Sequence, residues 1–333
     1  MKDGNISAGL SRRTALALLA TAAVAPRLAA ASNGVPAAFP KSPLTLIVPF
    51  SAGGPVDILG RLLAHEYQSR SGFNAVVENK TGGAGNIGID TVKVAAPDGA
   101  TLLLIPAGNL TINPALMPNL NFVVLRDFTP IILLASAPNI FLASKKLGVT
   151  TVKDLIEKAK TSKLTYGSPG VGSQLHLAME LFKDSAGIDI THVPYRGSPQ
   201  GLADLLGGHI DLLSTNLPSA LGSIGDKSVV PLAMTTAARS PLVPEVPTLA
   251  EAGIAGIDVS SWYGMLAPKG VPQATVDALF AVTGEILEQA SIKEKLMAQA
   301  LSVQIEAPGV FARRIERESA MWADVIRKHG IKL

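Results

Sequence analysis

Two stretches of this chain place small residues where an apolar strand hands over to a helix, and both could hold an anion. The first runs from Leu44 to Asp57. Leu44, Leu46, Ile47 and Val48 read as a buried strand, Phe50-Ser51-Ala52-Gly53-Gly54 as a loop, and Pro55 as the first residue of a helix, where its missing N–H would be unpaired anyway. The second is Ser168-Pro169-Gly170-Val171-Gly172-Ser173, between a strand near Tyr166 and a helix with Leu175, Ala178, Leu181 and Phe182 on one face. A helix N-terminus presents unpaired N–H groups and the positive end of the helix dipole, so each loop can cradle a carboxylate. Asp57 falls in the first turn and is expected to order its loop by accepting backbone N–H bonds rather than to touch an anionic ligand. Beside the second cradle, His176 reads first as a satisfied structural histidine, though its place in the first turn of its helix leaves a ligand contact open. Arg196, in the Tyr195-Arg196-Gly197 turn, is the cation to follow, with a structural ion pair and a ligand contact equally open.

Other chemistries find less support. A hydrolase would need Ser168 or Ser173 beside His176, yet neither serine stands as G-x-S-x-G. His176, His192 and His209 lie in different elements without the close pair of a zinc site, so no metal is expected. Gly83, Gly85 and Gly88 match G-x-G-x-x-G, but no acidic residue follows at the distance a ribose contact requires. A tight packing turn is the better reading, and no cofactor is expected.

The elements that must position these loops alternate as in an α/β protein. Strands are expected at Asn74–Glu78, Leu102–Ile105, Ile131–Ala135, Ile140–Ala143, Leu164–Tyr166, around His192, at Ile210–Ser214, Val229–Thr235 and Ile257–Leu266. Thr151 and Asp154 have capping-box character ahead of a helix. A short helix is expected at Leu249–Gly253, and the tail from Val271 reads as helical with breaks near Ser291 and Pro308. In open α/β sheets ligands sit at the carboxyl ends of strands, which brings Gly108 and Asn109 into the same cleft as the first loop.

At 333 residues the chain suits two domains. Its 47% hydrophobic and 17% charged content describe a well-buried globular protein. The formal charge of +3 resides in the first residues, where Lys2, Arg12, Arg13 and Arg27 outweigh Asp3; the remainder is balanced and has no basic footprint for nucleic acid. Those arginines, the apolar run Ala15–Ala25 and the small residues Ala29-Ala30-Ala31 read as an export signal of twin-arginine type over residues 1–31, followed by a linker over 32–40. A soluble periplasmic protein, monomeric by default, is the expectation.

The ordered segments PFSAGGPVD, VVENKTGGAGNIG, APDGATLLL, RDFTPI, YGSPGVGSQLH, VPYRGSPQGLADLLGGHIDL and AARSPLVPEVPTLAEAG resemble the Bug family, the extracytoplasmic substrate-binding proteins of tripartite tricarboxylate transporters. The resemblance extends from about Phe39 to His329. It implies a two-domain periplasmic binding protein of the Venus-flytrap kind (type II), each domain a mostly parallel sheet flanked by helices. The domains would be 41–139 with 261–333, and 140–260, and a carboxylate would lie between them. The positions it assigns to the ligand are Phe50, Ser51, Ala52, Gly53, Gly54, Asp57, Gly108, Asn109, Ser168, Gly170, Gly172, Ser173, His176, Tyr195, Arg196, Gly197 and Asn216. Asn216 stands where many relatives have an acidic residue, so neither an amino-acid nor a citrate preference transfers directly. The implied partners are membrane transporter subunits or, with the same fold, a sensor kinase, and the implied role is binding, not catalysis.

Overall fold

The apolar run Leu44–Val48 becomes a strand buried along most of its length, and ten more follow among the described residues. The structure is a computed structural model that describes residue 1 and residues 36–331, apart from 42, 72, 73 and 118. Apart from Met1, the export signal therefore lies outside the described residues, as do residues 32–35 of the linker. In chain order the strands are β1 Leu44–Val48, β2 Ala75–Asn79, β3 Thr101–Pro106, β4 Phe128–Ala137, β5 Asn139–Ala143, β6 Thr165–Ser168, β7 Thr191–Pro194, β8 Leu212–Asn216, β9 Val230–Met234, β10 Ser261–Pro268 and β11 Ser302–Glu306.

They form two sheets within the one compact unit that holds Val35–Leu333. The first has the order β11-β4-β10-β3-β1-β2 and the second β7-β6-β8-β5-β9. Both are mixed where mostly parallel sheets were expected. Pairings of β1 with β2 and β3, and of β6 with β7 and β8, are parallel, as strand–helix–strand repeats require. The strands that carry the chain between sheets run the other way: β10 is antiparallel to β3 and β4, and β5 to β8 and β9. The chain leaves the first sheet at Ala137, turns at Pro138, and enters the second at Asn139. It returns at Ser261.

Each sheet has its own core. Leu44, Leu46 and Val48 pack with Leu59 and Leu63 of the helix Pro55–Ser71, while Phe141 and Tyr166 pack with Leu177, Ala178 and Phe182 of the helix Gln174–Ala186. The tail departs from the expected run of helices. Between the helices Ala290–Met297 and Pro308–His329 lies β11, an alternating Ser-Val-Gln-Ile-Glu segment on the edge of the first sheet. Residues 249–253 form turns rather than a helix, and the strand expected from Ile257 begins only at Ser261. The last helix belongs to neither sheet alone. Phe311 and Ile315 pack beside Trp262 under the first, while Trp322 and Ile326 enter the core of the second. No helix among the described residues is long and apolar enough to cross a membrane.

Candidate functional site

The loop after β1 is held in place by a carboxylate. Asp57, in the first turn of the helix Pro55–Ser71, accepts hydrogen bonds from the Gly53 amide (2.9 Å), Arg61 Nε (2.9 Å) and Asn79 Nδ2 (3.0 Å). Asn79, at the end of β2, also donates to the Phe50 carbonyl at 3.0 Å, so the neighbouring strand fixes both ends of the loop. Burial pushes the Asp57 carboxyl up, but its bonds to Arg61, Gly53 and Asn79 outweigh that and hold it below its ordinary value. It remains ionised and fully engaged.

The loop after β6 is held by neutral groups. Ser168 is fully buried; its hydroxyl lies 2.7 Å from His192 Nε2 and 3.1 Å from the Gly170 carbonyl. Ser173 caps the helix Gln174–Ala186 by accepting from the His176 amide (3.1 Å), and its hydroxyl donates to the Gly170 carbonyl at 2.8 Å. Beneath the loop, Tyr166, His192 and His176 form a stack with ring centres 4.7 and 4.3 Å apart. The Gly172 amide donates to His176 Nδ1 at 3.3 Å, which requires that nitrogen to be unprotonated. Burial is the main reason why His176 falls to about 4 and His192 to about 3; the mutual repulsion of the two rings adds to it for His192. Tyr166 donates to Glu180, which Lys183 pairs at 3.0 Å, so the nearest charges neutralise each other.

Each loop touches the other sheet's side, the first meeting the turn after β7 and the second the residues that follow β3. The Ser51 amide donates to the Arg196 carbonyl at 3.1 Å, and an added Cβ at Gly197 would overlap the Ser51 hydroxyl. Gly172, at φ +72°, leaves room for Asn113; a side chain there would overlap Asn113 Oδ1. Between these contacts lies a cleft. Four helices of nine or more residues begin on it, at Pro55, Gln174, Ser198 and Leu217, three of them with proline in their first turn, at Pro55, Pro199 and Pro218. Asp57 is the one charged side chain lining it among the described residues.

Its floor is the crossing itself. Asn139 opens β5, Ser261 opens β10 and Asn216 closes β8, and the three are joined: Asn216 Nδ2 donates to Asn139 Oδ1 (2.7 Å) and Ser261 Oγ (2.9 Å), and Ser261 donates to Asn139 Oδ1 (2.9 Å). The Tyr263 ring completes the floor. Its hydroxyl lies near Ser261 without forming a hydrogen bond to it, and the residue is only 2% exposed.

Of the expected ligand positions, Phe50, Ser51, Gly54, Asp57, Gly108, Asn109, Ser173, Gly197 and Asn216 line this cleft together. Ala52 and Gly53 sit on the exposed outer side of the first loop. Ser168, Gly170, Gly172 and His176 form the layer behind the second loop, out of the cleft lining. Tyr195 turns away to donate to Asp204 at 2.7 Å, and Arg196 is exposed, joining the cleft rim only through its backbone. Unforeseen in the sequence are Gln174, Ser198, Ser261 and Tyr263, with Pro55, Val56, Pro106, Pro169 and Leu175 as apolar lining. Tyr263 and Ser261 carry a signal that sequence could have offered, since a strand returning between two domains must pass the cleft between them.

Two α/β sheets joined by crossing strands, with helix N-termini from both converging on one cleft, define a solute-binding protein. The chain belongs to the tripartite tricarboxylate transporter receptor family, whose model matches residues 59–331. It is 34% identical to the protein BugT of Bordetella pertussis over 298 residues, 89% of this chain and 91% of the relative. Among solved structures it is similar to Rpa4515 of R. palustris, determined with adipate (36% identity, TM-score 0.85, 88% of this chain and 99% of that one). It is also similar to MatC of Rhodopseudomonas palustris with bound malate (31% identity, TM-score 0.82, 86% and 100%). The family is one of receptors, not enzymes, and Ser168 and His192, the closest serine–histidine pair, are shut behind the loop.

Proposed function

We propose that this protein captures a small organic carboxylate in the cleft between its sheets and, by closing on it, presents a surface to the subunits of a membrane transporter. The observation that carries this reading is the convergence of four helix N-termini, one from the side of the first sheet and three from the side of the second, on a cleft whose lining has no free charge. First-turn amides with nothing to bond within their own helix stabilise an anion without the desolvation penalty of a buried cation. Relatives with adipate and malate support the same ligand chemistry. Closure follows from the bridging geometry, because a ligand touching both loops favours the state in which both are present. The division into domains 41–139 with 261–333 and 140–260, periplasmic location after removal of residues 1–31, and action as a monomer complete the proposal.

The test is a melting-temperature screen of the exported chain against carboxylates and their uncharged amides. A ligand at about a hundredfold over its Kd adds roughly 2.7 kcal/mol of stability. Stabilisation by carboxylates that vanishes with the matching amides is the expected outcome, and equal stabilisation by acid and amide would overturn the reading.

A further inference from the structure

The floor of the cleft says what the far end of the ligand must be. This rests on the carboxylate reading above and extends it from the anion to the rest of the molecule. The orientation of Asn216 is fixed by a chain of bonds that ends on a backbone carbonyl. Asn139 Nδ2 donates to the Val259 carbonyl at 3.2 Å, so Asn139 Oδ1 is the acceptor of its amide, and it accepts from both Asn216 Nδ2 and Ser261 Oγ. Asn216 Nδ2 uses its second hydrogen on Ser261 Oγ. Its Oδ1 therefore remains, an acceptor with no hydrogen bond among the described residues. Tyr263, which lines the same cleft, brings a hydroxyl that is buried and without a partner.

A second carboxylate placed here would face the Asn216 oxygen, acceptor against acceptor, and could not turn the amide without breaking its two hydrogen bonds to Asn139 and Ser261. An ammonium would sit in the positive potential of the helix N-termini, and the one carboxylate in the lining, Asp57, is already engaged by Gly53, Arg61 and Asn79. A hydroxyl satisfies both floor groups, accepting from Tyr263 and donating to Asn216 Oδ1. The walls between the floor and the loops are apolar, formed by Phe50, Val56, Leu175 and the rings of Pro106 and Pro169.

We infer that the cleft selects a carboxylate with an apolar body and an uncharged hydroxyl at its far end, received by Tyr263 and Asn216. Such a hydroxy acid binds more tightly than a dicarboxylate or an amino acid of equal length.

Calorimetric titration of two matched series tests this. One is hexanoate, 6-hydroxyhexanoate, adipate and 6-aminohexanoate; the other is the ring series 4-methylbenzoate, 4-hydroxybenzoate, terephthalate and 4-(aminomethyl)benzoate. In at least one series the hydroxyl member is expected to bind tenfold or more tightly than the other three. Tyr263→Phe, which keeps the ring, is expected to bring the hydroxyl and methyl members of that series within threefold of each other. Asn216→Asp is expected to move preference toward the ammonium member. Tighter binding of the dicarboxylate or ammonium member in both series, or equal binding of all four, would overturn the inference while leaving the carboxylate reading standing. Binding of none of the eight acids would overturn both.

Discussion

The two loops that close on the cleft look alike in sequence and are supported by opposite means. Behind the first stands an ionised carboxylate tied to a guanidinium and an amide, with Arg61 itself 57% exposed. Behind the second stands a stack of three uncharged rings, with the nearest charges, Glu180 and Lys183, paired at its edge. Glycine loops alone do not define a binding surface. What positions the amides is the layer behind, and that layer decides how each side responds to acid, salt and mutation.

Acid separates the two most strongly. His176 and His192 titrate near 6.5 in an unfolded chain but at about 4 and about 3 in the folded protein. Between these values the unfolded chain binds protons that the folded one does not, so stability is full above pH ~6.5 and is lost as pH falls toward ~4. The loss approaches ~1.4 kcal/mol per pH unit for each histidine across this window. The Asp57 side behaves differently. Its carboxyl lies below the ordinary value, so its contribution persists above that value and disappears only as pH drops further, through the folded pKa. Melting temperature followed from pH 7.5 to pH 3 should show the histidine loss first, and His192→Asn should flatten that limb alone.

Gly172→Val breaks the comparison where the second loop meets Asn113 on the side of the first sheet. It forces a β-branched residue to φ +72° and into Asn113, so ligand affinity should fall at least a hundredfold (~2.7 kcal/mol) in titration. Retained affinity would remove this contact from the closed state. Asp57→Ala strands the Gly53 amide and Asn79 while leaving the ring stack intact. A loss of ~2 kcal/mol in denaturant unfolding is expected, with the acid limb of the histidines unaltered. The smallest effect is expected at Arg196→Ala, which keeps the carbonyl that meets Ser51. Affinity should change less than threefold, and a larger loss would show that the guanidinium reaches the ligand.

Much of this was legible in the residues. Buried strands such as Leu102–Ile105 announce themselves as apolar runs, and the Thr151–Asp154 capping box forms as its spacing suggests. Both cradles were readable because glycine, proline and a capping serine mark a strand-to-helix turn wherever they occur together. Depth was not readable. Ser168 and His176 lie in the correct loop but one layer back, and nothing in their spacing says that the loop turns its backbone to the cleft and its side chains to the core. Strand β11 was hidden because five alternating residues on a sheet edge have too little apolar character to interrupt a helical reading. The floor was hidden for another reason: Asn139, Asn216 and Ser261 are far apart in sequence, and only the crossing of β5 and β10 joins them.

The last helix, finally, would limit how far the two halves swing in the closure proposed above. Because Phe311 is wedged under Gly264 on one side of the crossing while Trp322 and Ile326 are rooted in the core on the other, any wide gape must drag an aromatic anchor out of one bed or bend the rod between them. Two thin strands alone would let the halves flap; a bar bolted to both would restrict the proposed closure to a short rocking stroke. Its range would then be written outside the cleft, in the 22-residue last helix, none of whose residues lines the cleft.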